Sequence, residues 1–252
     1  MPVTRALRRR LAASGVGASP GFRWRGGEVS RLEGFTDAVF AFAVTLLVVS
    51  LEVPQTYDEL MAAMRGFFAF AVCFAVLVSI WHDHYVFFRR YGLRDGATVW
   101  LNAALLFVVL FYVYPLKFLF TLVINQLLLR LPAPVEATIH AGQARTLFIV
   151  YGAGVIAVFG MLALLYAHAL RRRGELELDR IELFDTRSSL ARNLLAAGVG
   201  AVSIAIALTV PSRMIGLAGY AYFLFGPVFA VHGSIAGSRR RRLAAATREA
   251  KV

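Results

Sequence analysis

Polar side chains that could coordinate an ion lie within and just before one long apolar segment of the chain. The segment at 35–53 is apolar enough for a membrane span, yet Arg31, Thr36 and Asp37 stand at its start and Thr45 stands in its middle. Polar groups at membrane depth are costly, so they usually face a bundle interior or a water-filled path. This pattern predicts a lined route through a bilayer rather than a simple anchor.

One face of this segment has the composition of a pore lining. At helical spacing, Phe42, Leu46 and Val49 share a face, with Thr45 close by. Apolar rings can narrow a path and gate it by dewetting, and hydroxyl groups can replace part of an ion's hydration shell. A packing helix whose Thr hydroxyl bonds its own backbone explains the same periodicity. On periodicity alone, the packing helix is the favoured interpretation.

A second polar run, Trp-His-Asp-His, occupies positions 81–84 near the end of the next apolar segment. On a helix His82 and His84 point about 200° apart, so they cannot share a metal, and no third ligand at helical spacing joins them. We therefore predict no metal site. We expect one of these His residues to pair with Asp37 or Arg31, because all lie near the same interface. An interfacial aromatic belt is the alternative role for Trp81.

Other polar residues and prolines fall inside later apolar segments. Asn102 is expected to bond across helices, and Pro115 and Pro227 are expected to kink theirs. Lys117 and His168 stand near segment ends. There, long polar side chains extend toward the membrane interface.

The elements that must position these residues are membrane helices. The 252 residues are 59% hydrophobic, with a mean hydropathy of +0.66, and the apolar residues are concentrated in long blocks. The blocks are continuous, unlike the alternating strands of membrane barrels. We predict an all-α, polytopic membrane protein with six spans of roughly 20 residues each. The six predicted spans are 35–53, 66–88, 99–123, 147–170, 194–210 and 214–237.

Charge orients these spans. Arg-rich segments precede the first block and follow the second, fourth and sixth blocks, all on one side of the predicted membrane. The positive-inside rule then places both termini in the cytoplasm. We predict a flexible basic tail at 1–30, without a cleaved signal peptide, a six-helix domain at 31–237, and a basic tail at 238–252.

Several function classes are disfavoured by composition and motifs. The net charge of +12 comes mostly from Arg clusters flanking apolar blocks, and no nucleic-acid-binding motif is present, so we expect no nucleic-acid partner. The lone Cys73 cannot form a disulfide within one chain. No phosphate-binding loop, zinc motif or nucleophile elbow occurs, so we predict that the protein is not an enzyme.

The motif residues resemble the transmembrane protein 175 family, potassium-permeable channels of bacteria, archaea and animal lysosomes. The family pattern is Arg-x-x-x-Phe-Ser-Asp with a Thr eight residues after the Asp, Trp-x-x-His ending span two, and an Asn and a Pro in span three. The matching residues are Arg31, Phe35, Thr36, Asp37, Thr45, Trp81, His84, Asn102 and Pro115. This chain departs from the family by Thr36 in place of Ser and by Phe42 in place of Ile or Leu.

The resemblance implies a homotetramer with span one lining a central pore. Phe42 would form the narrowest ring, Leu46 and Val49 would lie further out, and Thr45 would supply a hydroxyl layer. It further implies a polar cluster at the cytoplasmic end, which we expect to bury Asp37 near its partners. The predicted cluster is Arg31, Thr36, Asp37, Trp81, His84 and Asn102.

We therefore expect a potassium-permeable cation channel of a prokaryotic inner membrane, with passive flux and no cofactor beyond the permeating K+ ions. Its predicted partners are three further copies of itself and the lipid bilayer. An ion-coupled secondary transporter is the first alternative, although neither the internal repeat nor the mid-depth acid typical of that class is evident. A non-conducting membrane accessory protein is the second alternative.

Overall fold

The computed structural model describes residues 22–27, 29–49, 55–123 and 141–249, and this part of the chain contains helices and no strand. The predicted all-α class is confirmed. The longer helices are α1 Arg31–Val49, α2 Tyr57–Tyr91, α3 Gly96–Val123, α4 Ala141–Arg171 and α5 Arg180–Thr209, followed by the short α6 Leu217–Tyr220 and finally α7 Phe225–Glu249.

Five stretches of the described chain are long and apolar enough to cross a membrane. They are Tyr57–Tyr91, Gly96–Thr121, Gln143–Arg171, Arg180–Thr209 and Ser212–Thr247. The first predicted span corresponds to α1, which has 19 residues and is not among the five. Residues 50–54, where that span was predicted to end, lie outside the described chain, as do residues 124–140. The six-span count therefore stays a prediction.

Two helices begin well before the apolar blocks that predicted them, because capping residues set their starts. Thr56 and Glu59 form a capping box at the start of α2, and Asp179 and Glu182 form one at the start of α5. Such boxes satisfy backbone N–H groups that have no partner within the helix. Hydropathy detects only the apolar part of a helix, so both helices extend beyond the predicted spans 66–88 and 194–210.

The sixth predicted span, 214–237, falls within the apolar stretch Ser212–Thr247, but this stretch is not one regular α-helix. Two 3₁₀ turns at Ser212–Met214 and Ala221–Leu224 flank α6, and the long helix α7 begins only afterwards. Pro227 lies in the first turn of α7, directly after the second 3₁₀ turn, where its missing N–H breaks no α-helical bond. Because α7 runs to Glu249, much of the predicted tail at 238–252 is helical.

Two packing units position the candidate site. In the first, α1 packs against α2 and α3 around buried side chains that include Phe40 and Leu47. In the second, α4 and α5 pack along their lengths, with Gly152 and Gly200 at the closest approach. A Cβ added to Gly200 would lie 2.8 Å from the carbonyl oxygen of Gly152. Small residues at such crossings let two helix backbones approach closely.

Candidate functional site

Helix α1 presents two opposite faces. The buried face consists of Thr36, Phe40, Ala43 and Leu47, which are at most 4% exposed. These positions recur every three or four residues, as one side of a helix does. The exposed face consists of Arg31, Phe35, Asp37, Ala38, Ala41, Phe42 and Thr45. A single chain therefore covers only one side of this helix.

The predicted pore-lining residues do not all share the exposed face. Phe42 is 56% exposed, and Thr45 is exposed beside it. Leu46 is half-buried and packs against the core, because each residue turns about 100° around a helix and Leu46 is adjacent to the buried Leu47. The side chain of Val49 lies outside the described part of the structure.

The hydroxyl of Thr45 donates a hydrogen bond to its own helix, yet its oxygen can still coordinate a cation. Its Oγ1 donates to the carbonyl oxygen of Phe42 at 2.7 Å, which is the internal bond that the packing interpretation required. A hydroxyl has one donor and two acceptor lone pairs. Because the proton points back at the helix, the lone pairs of Thr45 face away from it, toward the space outside the single chain. A cation in that space would meet an oxygen acceptor.

A buried polar network joins α1, α2 and α3 behind the exposed face. The Nδ2 of Asn102 donates to Oγ1 of Thr36 at 2.9 Å, and Oδ1 of Asn102 lies 2.7 Å from Nε2 of His84. Since Oδ1 can only accept, Nε2 of His84 carries the proton. Thr36 in turn donates to the carbonyl oxygen of Leu32 at 2.9 Å. All three side chains are at most 2% exposed, so the network is closed without solvent.

The predicted pairing of His82 or His84 with Asp37 or Arg31 is wrong, because His84 bonds Asn102 and His82 lies beside Asp83. The expectation that Asp37 is buried is also wrong. Asp37 is exposed, and its Oδ1 accepts a hydrogen bond from Nε1 of Trp81 at 2.8 Å. Asp37 follows Thr36 directly, so it is turned about 100° away from the buried face. Arg31 is exposed, and within the described ranges it has no hydrogen bond or ion pair with the other predicted cluster members.

Two residues expected to extend toward the interface make contacts with other parts of the chain. Nζ of Lys117 in α3 donates to the carbonyl oxygen of Leu47 in α1 at 3.0 Å. This contact ties the outer part of α1 to its neighbour, and no sequence signal pointed to it. Nε2 of His168 lies 2.7 Å from Oδ2 of Asp95, at the loop before α3.

Asp95 directly precedes α3 and caps its first turn, because its Oδ1 accepts from the backbone N–H of Thr98 at 3.0 Å. Burial opposes ionisation of this carboxyl group, but hydrogen bonds from Thr98 and the contact with His168 outweigh it and hold the pKa of Asp95 at about 2. Arg172 adds a further contact, with Nη2 at 3.0 Å from Oδ2 of Asp95. The pattern of Asp followed by Thr three residues later was the available sequence signal.

Elsewhere in the described chain no three His, Cys, Asp or Glu residues are close enough to hold a metal ion. Nδ1 of His82 lies 3.9 Å from Oδ1 of Asp83, and the same oxygen lies 2.7 Å from Nη2 of Arg192. The side chains that converge in the site are therefore hydrogen-bonding groups rather than a metal-ligand set.

These features define a polytopic helical membrane protein. One face of its first helix packs against α2 and α3, and the opposite face is exposed and carries the Thr45 hydroxyl. The family described as "Endosomal/lysosomal potassium channel TMEM175" matches residues 31–112, which contain α1, α2 and most of α3. A protein of Marivirga tractuosa described as a potassium channel is 40% identical over 248 residues, covering 93% of this chain and 98% of the relative. The chain belongs to the TMEM175 family, as its motif residues indicated.

Solved structures agree. A crystal structure of a variant of the potassium channel MtTMEM175 superposes with a TM-score of 0.78 at 38% identity, covering 88% of this chain and all of the other. A protein of Chamaesiphon minutus, described as a homologue of the lysosomal potassium-selective channel TMEM175, superposes with a TM-score of 0.54 at 24% identity, covering 80% of this chain and 95% of the other. This second likeness concerns the fold alone.

Proposed function

We propose that this protein is a potassium channel in which ions move passively through a central path lined by α1 of four identical subunits. Membership of the TMEM175 family supports the potassium channel function and the prediction that the protein is not an enzyme. The observation that carries the arrangement is the division of α1 into a buried face and an exposed, hydroxyl-bearing face.

The exposed face of α1 is suited to face the α1 helices of other subunits across a water-filled path. A hydroxyl and a carboxylate facing lipid would be costly, whereas a water-filled path removes that cost. Ala38 and Ala41 lie on the same face, and small residues let helices approach closely. Four copies around one axis would place these residues beside a shared path.

Two layers of this path have distinct roles. The four Thr45 hydroxyls, whose lone pairs point away from the helix, replace part of the hydration shell of K+. The Phe42 rings lie three residues earlier on the helix, a rise of about 4.5 Å, and thus closer to the cytoplasm. They form an apolar constriction where removal of water opposes ion passage.

The network of Thr36, Asn102 and His84 has a supporting role in this proposal. Because it fixes the buried face of α1, it also fixes the direction in which Phe42 and Thr45 point. The location is the inner membrane of a prokaryote, with six spans and both termini in the cytoplasm. The Arg-rich segments on one side of the predicted membrane support that orientation.

Thr45→Val tests the hydroxyl layer, because it removes the oxygen and keeps the shape. Protein reconstituted in liposomes should carry a K+ flux, and this variant should lose K+ preference over Na+. Thr209→Val is the matched control, since Thr209 is also exposed and its Oγ1 donates to the carbonyl oxygen of Ala205 at 2.8 Å. It should leave selectivity unchanged.

Phe42→Ala tests the constriction and should raise flux by widening the path. Phe107→Ala on α3, where Phe107 is 71% exposed, should not. A silent protein, or one insensitive to both Thr45→Val and Phe42→Ala, contradicts the proposal. Flux that saturates and requires a proton gradient would instead identify a secondary transporter.

A further inference from the structure

Residues 22–27 form a strap that packs across the end of α2 and the start of α5, although the sequence predicted a flexible tail there. The backbone N–H of Gly26 donates to the carbonyl oxygen of Arg89 at 3.1 Å. Phe22 is 7% exposed and meets the ring of Tyr91 edge-on, with 5.7 Å between ring centroids. For the strap, the expectation of a flexible tail is wrong.

The strap is fastened to α5 by a carboxylate with no solvent exposure. Nη2 of Arg25 lies 2.6 Å from Oε2 of Glu182, whose side chain is 0% exposed. The backbone N–H of Arg23 donates to Oε1 of Glu182 at 2.8 Å. Oε2 also accepts from the backbone N–H of Asp179 at 3.1 Å. A buried carboxylate is stable only when it is paired and hydrogen-bonded in this way.

The strap leads directly into α1. Ser30, three residues after Gly27, directly precedes α1; of the residues between them, residue 28 lies outside the described chain. Oγ of Ser30 accepts from the backbone N–H of Glu33 at 3.2 Å, and the Ser30 N–H donates to Oε2 of Glu33 at 2.8 Å. Gly27 is itself held, since its carbonyl oxygen accepts from Nη1 of Arg89 at 2.7 Å.

The fit of the strap against α2 allows little displacement. A Cβ on Gly26 would lie 2.6 Å from the carbonyl oxygen of Phe88. Gly92, which ends α2 with a left-handed φ of 59°, would place a Cβ 3.1 Å from the backbone of Arg25. Glycines at both positions permit a backbone contact that other residues would push apart.

We propose that Glu182 is a positioning residue for conduction: through Arg25 and the strap, the start of α5 holds the cytoplasmic end of α1 in its conducting position. This inference rests on the proposed function, because it assumes that α1 lines the path. Glu182 touches no permeating ion and acts only through the strap. Loss of its pairing with Arg25 therefore changes how often the path is open, not what the open path conducts.

The test compares Glu182→Gln and Arg25→Gln with Asp185→Asn in single-channel recordings. Asp185 is the matched control, because it stands on the same helix, is 8% exposed and pairs with Nε of Arg240 at 2.8 Å, which ties α5 to α7 instead. Glu182→Gln and Arg25→Gln should lower open probability about tenfold, a shift of about 1.4 kcal/mol. Unitary conductance and K+ preference should stay as in the wild type. Arg25→Lys, which keeps the charge, should restore part of the loss.

A second readout does not depend on flux. Amide hydrogen exchange at residues 31–40 of α1 should rise in Glu182→Gln and Arg25→Gln and remain at the wild-type level in Asp185→Asn. Gly26→Ala, which displaces the strap and leaves α5 intact, should behave like Glu182→Gln even if the latter folds poorly.

The inference is overturned if exchange in α1 is unchanged in the strap variants, or if Asp185→Asn changes it equally. It is also overturned if open probability stays at the wild-type level or unitary conductance falls instead. A wild-type protein that carries no K+ current contradicts the proposed function. The exchange data then still decide whether Glu182 positions α1.

Discussion

The two packing units of this molecule are held together by different means. Helices α1, α2 and α3 are joined by a closed chain of hydrogen bonds through Thr36, Asn102 and His84. Helices α4 and α5 are joined by close backbone approach at Gly152 and Gly200. The matched family region at 31–112 coincides with the first unit.

The network sets the orientation of α1, whereas the glycine contact stabilises the packing of α4 on α5. A hydrogen-bond network has one satisfying geometry, so it fixes the rotation of α1 and hence the direction of its exposed face. Close packing of small residues supplies contact area and depends on shape alone. Variants at the glycine contact between α4 and α5 should therefore act on stability, whereas variants in the network should act on conduction as well.

The largest effect is expected from Gly200→Val, which inserts a side chain where two backbones meet. A Cβ at Gly200 would lie 2.8 Å from the carbonyl oxygen of Gly152 and 3.1 Å from Cβ of Val155. Overpacking of this kind costs about 1–3 kcal/mol or more. The unfolding midpoint, followed by size-exclusion chromatography after heating, should drop sharply.

Gly198→Val is the control for that experiment, because a Cβ at Gly198 meets nothing within 4 Å. The same valine two residues away on α5 should leave the midpoint nearly unchanged. Equal midpoints for the two variants would show that close approach does not hold this unit together.

An intermediate effect is expected from Asn102→Ala, which leaves His84 and Thr36 without their partner. Each buried polar group left unsatisfied costs about 1–3 kcal/mol. Because the rotation of α1 is then less fixed, K+ flux in liposomes should fall in the protein that still folds.

Asn193→Ala provides the comparison for the network. Asn193 is 1% exposed, and its Nδ2 donates to the carbonyl oxygen of Ser189 within the same helix at 2.9 Å. Its removal should cost stability without changing flux per folded protein. If both asparagine variants lowered that flux equally, the network would have no special part in orienting α1.

The smallest effect is expected from Asp37→Ala. Burial of Asp37 near Arg31 and His84 would have implied a cost of about 3–5 kcal/mol for breaking a buried pair. Its exposed carboxylate and its hydrogen bond from Trp81 imply about 0.5–1.5 kcal/mol instead. Trp81→Phe should lower the unfolding midpoint by a similar amount.

A double-mutant cycle checks that these two changes remove one shared interaction, because the double variant should then lose less than the sum of the single losses. A loss for Asp37→Ala as large as that for Asn102→Ala would mean that assembly buries this carboxylate.

The sequence predicted which polar residues matter better than it predicted their partners. Thr36, His84 and Asn102 were identifiable because polar residues inside apolar segments are few and because the family resemblance implied that these residues belong to one cluster. Their pairing depends on the rotation of each helix, and one residue changes that rotation by about 100°. This is why Asp37 was paired with His84, which instead bonds Asn102, the partner of the neighbouring Thr36.

Contacts between distant parts of the chain could not be predicted from the sequence either. Arg25 and Glu182 are separated by 157 positions, and neither the strap nor the contact of Lys117 with Leu47 has a local signal. Helix ends were misjudged for a different reason, because hydropathy detects lipid-facing length whereas capping residues such as Asp179 set the actual start.

The most direct test of the central claim is the reactivity of a cysteine placed at Thr45. Cys73 is buried and unpaired, so Cys73→Ser gives a background without thiols. A charged thiol reagent needs a thiolate, which forms in water and not in lipid. Phe107→Cys, at an exposed position of α3, is the control.

If α1 lines an aqueous path, the reagent will modify Thr45→Cys in the reconstituted protein and block K+ flux, while Phe107→Cys keeps its flux. If Thr45→Cys is no more reactive than Phe107→Cys and flux continues, Thr45 faces lipid or protein, and the ion path lies elsewhere.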